Sequence, residues 1–249
     1  MPAWFTIRPF HEARNRAHRA RRLILALAAG VGVAQLAAAQ APPAPAAPAP
    51  SSPRFVVVLD AAHGGDDLGG RLSNGQLEKD FTLALSVRLR SLLGARGIAV
   101  VTTRESDTTV DLDRRAAIAN RVNAQACLSL HGSESGSGVH LFVSSLAPAQ
   151  PTRFAPWKTA QAASVTRSLA LAGTLNAALV QAGMNVTLGR TALLAVDSMT
   201  CPAVAVEVAP ERGPDKKVTG GLDDPDYQAR VAQALAAALL DWRSEGRQP

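Results

Sequence analysis

With 249 residues, 47% of them hydrophobic and 18% charged, the chain is too apolar for a disordered protein and long enough to bury a core. The formal charge of +6 would suit an anion-binding protein, but six arginines and one glutamate fall within residues 1–39. The remainder carries 20 basic and 19 acidic residues, a balance that gives nucleic-acid binding no support.

Residues 1–39 have the three parts of an export signal: an Arg-rich start, the apolar run Leu23 to Leu36, and the small residues Ala37-Ala38-Ala39. The run is shorter than the ~20 residues a membrane span needs, so no stable span is expected once the signal is cleaved after Ala39. Arg21-Arg22 also resembles a twin-arginine signal, and both export routes stay open. Residues 40–53 are rich in Pro and Ala and read as an extended spacer. Residues 54–245 then form one domain of ordinary size. Cys127 and Cys201 would meet an oxidising compartment; buried free thiols are expected, with a disulfide as the alternative.

Phe55–Leu59 is continuously apolar, as a strand covered on both faces should be. Glu78 to Leu93 places Phe81, Leu85, Leu89 and Leu92 at helical spacing, and Gly94 and Gly97 end it. Ile98–Thr103 is the next expected strand. Leu112 to Val122 is a short helix with Leu112, Ala116, Ala119 and Val122 on one stripe, and Ala126–Leu130 is a strand. Val139, Leu141 and Val143 alternate as in a strand with one wetter face. Residues 160–183 are expected to be helical, with strands at Leu193–Val196 and Ala203–Val208. Asp224-Pro225 opens a last helix that turns Tyr227, Val231, Leu235, Leu239 and Trp242 to the core. This alternation implies a single α/β domain: a mostly parallel twisted sheet with helices on both faces.

The chemistry gathers at strand ends, where ligands of such sheets bind. The first strand runs into Asp60-Ala61-Ala62-His63-Gly64-Gly65, the next helix opens with Glu78, and a later strand delivers His131. Beyond the leader only His63, His131 and His140 remain. Two imidazoles and a carboxylate from His63, Glu78 and His131, with an open fourth position, suit a catalytic zinc ion. Taken alone, Glu78 would be a helix-start acid favoured by the dipole. Glu207 ends a strand of Ala, Val and Pro and is expected to act as general base and acid, the alternative being an ion pair with Arg190 or Arg212. Glu211 is its rival, carried away by the Pro210 turn. Asp60 is the expected acceptor orienting His63, and His140 is expected to be an ordinary strand position.

The motifs LDAAHGGDDLGG, Leu77-Glu78-Lys79-Asp80, Thr103-Arg104-Glu105-Ser106-Asp107, Asp113-Arg114-Arg115-Ala116-Ala117-Ile118-Ala119-Asn120 and Ser129-Leu130-His131 occur in that order. Together with Cys201-Pro202-Ala203-Val204-Ala205-Val206-Glu207, they resemble the zinc-dependent N-acetylmuramoyl-L-alanine amidases of the type 3 family, over nearly all of residues 54–243. The resemblance implies a zinc-exopeptidase-like fold, Zn2+ on His63, Glu78 and His131, and Glu207 as the catalytic glutamate. It also implies peptidoglycan as substrate, cut between the lactyl group of N-acetylmuramic acid and L-alanine. The protein would then be periplasmic or cell-wall associated, with a dedicated activator protein as a further partner by analogy. A non-catalytic wall-binding protein and a zinc carboxypeptidase of wall peptides are the alternatives. The chain departs from the family pattern at Ala62, where Gly is usual, at Gly132-Ser133, where Ala-Asn is usual, and at Val208-Ala209-Pro210-Glu211. Some relatives insert a long helix that plugs the zinc; here Ser144–Thr159 reads as a short loop in which Trp157 packs or lines the cleft.

Overall fold

The computed structural model describes residues 55–246 except 73–74 and 153–155. The expected export signal and spacer lie outside the described residues. Six strands form one sheet: β1 (Val56–Ala61), β2 (Ala99–Thr102), β3 (Ala126–Gly132), β4 (Val139–Ser144), β5 (Val186–Thr191) and β6 (Ala203–Val208), in the order β2-β1-β3-β6-β4-β5. Neighbours run parallel except at β4 and β6, which pair antiparallel. A small hairpin, β7 (Glu211–Arg212) and β8 (Val218–Gly220), stands beside it.

Side chains alternate between sheet faces, so one set of strand residues meets the helices and the next set builds the site. Val57, Leu59, Leu128, Leu130, Val204 and Val206 bury against α1 (Glu78–Gly94), α3 (Val165–Gln181) and α4 (Pro225–Glu245) in the main core. On the opposite face, Val58, Cys127 and Ala203 pack under α2 (Leu112–Arg121) and a 3-10 turn at Val196–Ser198. Local chemistry fixes the helix starts. Asp111 caps α2 through the Arg114 amide at 2.7 Å, and Asp224 caps α4 through the Asp226 amide, with Pro225 at the first turn. All five α4 residues expected in the core are buried.

Several expectations are corrected. The strand placed at Leu193–Val196 is instead β5 at Val186–Thr191, an edge strand whose mostly exposed residues lack an apolar run. Leu193–Val196 forms a turn that walls a cleft. The helix expected over 160–183 is a 3-10 segment, Trp157–Ala163, followed by α3. At the join, the fully buried Gln161 amide donates to the carbonyls of Val196, Met199 and Cys201. Leu112, expected on the buried stripe of α2, is 46% exposed, and Arg115 is buried in its stead. Trp157 is exposed and does not line the cleft.

Cys127 and Cys201 are joined in a disulfide, not held as free thiols, across 74 residues of sequence. The bond ties β3 to the turn that leads into β6. Closing a loop of that length removes about 4 kcal/mol of unfolded-state entropy. The Cys127→Ala/Cys201→Ala protein should therefore unfold at clearly lower denaturant, with an unfolding free energy reduced by about 2–5 kcal/mol. Equilibrium urea unfolding of both proteins checks this.

Candidate metal centre

β1 ends at Ala61, and the chain turns at once through His63, whose φ of 61° lies in the left-handed region that non-glycine residues seldom occupy. Arg115 holds this turn: its Nη2 donates to the His63 carbonyl at 2.6 Å and its Nη1 to that of Ala61. His63 Nδ1 is 2.9 Å from Asp67 Oδ2, which leaves Nε2 facing Glu78 Oε1 at 3.1 Å. The acceptor that orients His63 is thus Asp67, four residues on, and not Asp60. Asp60 is 2% exposed and belongs to a different pair, with Arg115 Nη1 at 2.7 Å.

Glu78 comes from the opposite layer. Its amide donates to the Gly70 carbonyl at the start of α1, and its carboxylate reaches across the sheet edge. Oε1 lies 3.0 Å from His131 Nδ1 and accepts from the Gly132 amide, while Oε2 accepts from the Gly70 amide at 2.8 Å. The ligand atoms of His63, Glu78 and His131 all fall within 4.8 Å of one another. A tetrahedral site with bonds of about 2.0–2.1 Å has edges of about 3.3 Å, close to the separations of 3.1 and 3.0 Å from Glu78 Oε1 to the two histidines, so the donor set fits one small divalent ion. Gly69 makes room for it: its φ is 65°, and a Cβ there would stand 2.7 Å from the His63 ring and 2.8 Å from Glu78 Oε2.

Charge follows from these contacts. Hydrogen bonding to Glu78 is the main influence holding the His63 imidazolium above its ordinary range, opposed by burial and assisted by Asp67. Burial disfavours the Glu78 carboxylate, but hydrogen bonds from His131, His63 and Gly70 outweigh it and keep the carboxyl well below the usual range. In the metal-free protein, a raised His63 contributes stability that is complete below its unfolded value of 6.5 and is lost as pH rises through the folded one. A depressed Glu78 contributes stability present above 4.5 and lost as pH falls. The stability difference between metal-free wild type and His63→Ala should therefore be largest between these values and shrink on both sides. Thermal unfolding of chelator-treated proteins across pH measures it.

Glu207 lies on β6 directly beside His131 of β3, and on its other side pairs with His140 of β4, so all three leave the same sheet face. Its expected ion-pair partners are occupied elsewhere: Arg190 donates to the Ser144 and Leu146 carbonyls, Arg212 to those of Gly136 and Lys216. Glu211 bonds Asn185 on the hairpin side, away from the histidines. His140 contacts Thr187 Oγ1 at 2.5 Å on the next strand, as an ordinary cross-strand pair. A cleft of about 460 Å³ opens on the His63 and His131 side, floored by Asp60, Ser129 and Ala205 and walled by residues 109–112 and 192–196.

The sequence pattern of the N-acetylmuramoyl-L-alanine amidases matches residues 57–241. The chain belongs to this amidase family. It is 41% identical over 81 residues to the amidase AmiA of Escherichia coli K12, covering 32% of this chain and 28% of that one. It is 36% identical over 90 residues to the germination-specific amidase of Bacillus subtilis 168, covering 30% and 38%. The matched stretches thus span well under half of these curated relatives. Among solved structures, the catalytic domain of the amidase CwlV from Bacillus (Paenibacillus) polymyxa var. colistinus superposes with a TM-score of 0.58 at 27% identity, covering 76% of this chain and 98% of that one. The amidase AmiC2 of Nostoc punctiforme gives 0.58 at 25%, covering 76% and 97%.

A Cβ at Gly132, beside the second histidine, would stand 2.8 Å from the Phe81 ring, so Phe81 fills the space that a larger residue would take there. Between β4 and the Trp157 segment, the described residues contain no helix.

Proposed function

We propose that this protein is a zinc-dependent hydrolase of peptidoglycan that cuts the amide between N-acetylmuramic acid and L-alanine. The convergence of His63, Glu78 and His131 at the edge of an amidase-family sheet carries the proposal. When bound there, zinc supplies Lewis acidity that polarises an amide carbonyl and acidifies a coordinated water. The protein's own residues do the rest. Asp67 keeps His63 turned with Nε2 inward, and the Gly70 and Gly132 amides fix the Glu78 carboxylate. Glu207, in register with His131, accepts the proton of the attacking water and returns it to the departing alanine nitrogen.

Val110 and Leu112 on one side of the cleft and Leu193 and Leu194 on the other offer the substrate apolar walls. Export to the cell wall accords with the leader and with this substrate. No helix among the described residues is long and apolar enough to cross a membrane.

The test is digestion of purified sacculi and soluble muropeptides by the zinc-loaded protein, with products resolved by mass. Release of the whole stem peptide from the sugar is expected. Trimming of the peptide terminus would assign a carboxypeptidase, and binding without cleavage would assign a wall-binding protein; either overturns the proposal.

A further inference from the structure

The amidase reaction as proposed makes no use of Asp60, Ser129 or Arg115, yet these three polar residues are buried beside the centre. Burying the Asp60–Arg115 ion pair is costly unless its remaining bonding capacity is met, and here most of it is met. Asp60 Oδ1 accepts from Arg115 Nη1 at 2.7 Å and from Thr103 Oγ1 at 2.8 Å. Its second oxygen, Oδ2, accepts from the Ser129 hydroxyl at 2.8 Å. Arg115 spends three of its other four N–H donors on the carbonyls of Ala61, His63 and Val110. The carboxylate is thereby pinned, with one oxygen aimed at Ser129.

That bond uses the only proton Ser129 has. Towards His131 the hydroxyl can offer only a lone pair, and its oxygen lies 3.4 Å from Nε2. An accepting hydroxyl holds a hydrogen on Nε2, so the Nδ1 hydrogen, donated to Glu78 in the metal-free protein, is the one a metal ion would displace. Nδ1 is the atom that faces Glu78 Oε1. The same device serves the other ring in mirror form, since Asp67 takes Nδ1 of His63 and frees Nε2. One guanidinium therefore touches both halves of the centre: the His63 backbone directly, and His131 through Asp60 and Ser129.

We propose that Ser129 and Asp60 are positioning residues that fix His131 as an Nδ1 ligand, with Arg115 holding Asp60 in place. The inference rests on the reading of His63, Glu78 and His131 as zinc ligands, and its test needs no peptidoglycan. Zinc alone is the probe, titrated into the metal-free full chain against a chromophoric chelator. Ser129→Ala should weaken zinc binding roughly 10–100-fold, the usual loss on removing a hydrogen-bond partner of a metal-bound histidine. Ser129→Thr keeps the hydroxyl, has the open cleft to take its methyl, and should restore most of the loss. Nitrogen-15 NMR of the zinc-loaded wild type should place the metal on Nδ1 of His131 and a proton on Nε2.

Ligation through Nε2 in the wild type would overturn the inference whether or not any variant folds. So would wild-type zinc affinity in Ser129→Ala, or a Ser129→Thr protein no better than alanine. Failure of the unaltered chain to bind zinc would instead remove the metal reading itself, and the inference with it.

Discussion

Glu207→Gln is expected to lower the rate of stem-peptide release by about 10²–10⁴-fold while leaving zinc affinity close to wild type. The substitution keeps the size of the side chain and removes its ability to take a proton. Glu207 comes from β6, beside His131, and none of the bonds that hold Glu78 in place comes from it: those come from His63, His131, Gly70 and Gly132. A proton shuttle and a ligand therefore fail differently. Steady-state assays on muropeptides, with zinc content measured on the same samples, separate the two. Loss of zinc together with activity would reassign Glu207 to the metal, and activity near wild type would remove it from the reaction.

Glu78→Ala should have the larger effect on the metal. Outer partners of metal ligands are worth ~10–100-fold in affinity, so loss of an anionic ligand should cost more than ~100-fold, and activity at ordinary zinc concentrations should vanish with it. The folded state suffers as well. Glu78 is 7% exposed and accepts from two backbone amides, Gly70 and Gly132, which alanine leaves unmet. Each such orphan costs about 1–3 kcal/mol where water cannot reach it. Zinc titration and thermal unfolding of the metal-free variant check both effects. A variant that binds zinc as the wild type does would show that the carboxylate is not a ligand.

Much of the site is legible in the sequence. A histidine or glutamate at an apolar strand end is hard to explain by packing, and His63 lies just past the end of β1, with His131 and Glu207 each one residue from the ends of β3 and β6. Glu78 was legible from its place at a helix start, although its reach across the sheet edge was not. The supporting contacts escaped for a different reason. Asp60 and Asp67 are equivalent in type and both near His63, and only the left-handed turn at His63 decides which carboxylate meets its ring. Arg115 looks like a solvated helix residue by composition; its burial follows from the pull of Asp60 and two strand-end carbonyls.

The misplaced strand has a similar cause. Leu193–Val196 is apolar because it walls a cleft and packs Val196 under the second core, whereas β5 is a polar edge strand that pattern alone does not reveal. Pairing of Cys127 with Cys201 depends on the turn that Gln161 holds in place, 40 residues from Cys201 in sequence. Such long-range geometry leaves no local periodicity to read.

The central claim is that three side chains from two layers of the fold hold one zinc ion. Calorimetric titration of zinc into the metal-free chain, run beside His63→Ala and His131→Ala, tests it most directly. One ion per wild-type chain, with affinity sharply reduced in each variant, is the predicted result. No uptake by the wild type, or variants that bind as tightly as it does, would contradict the account.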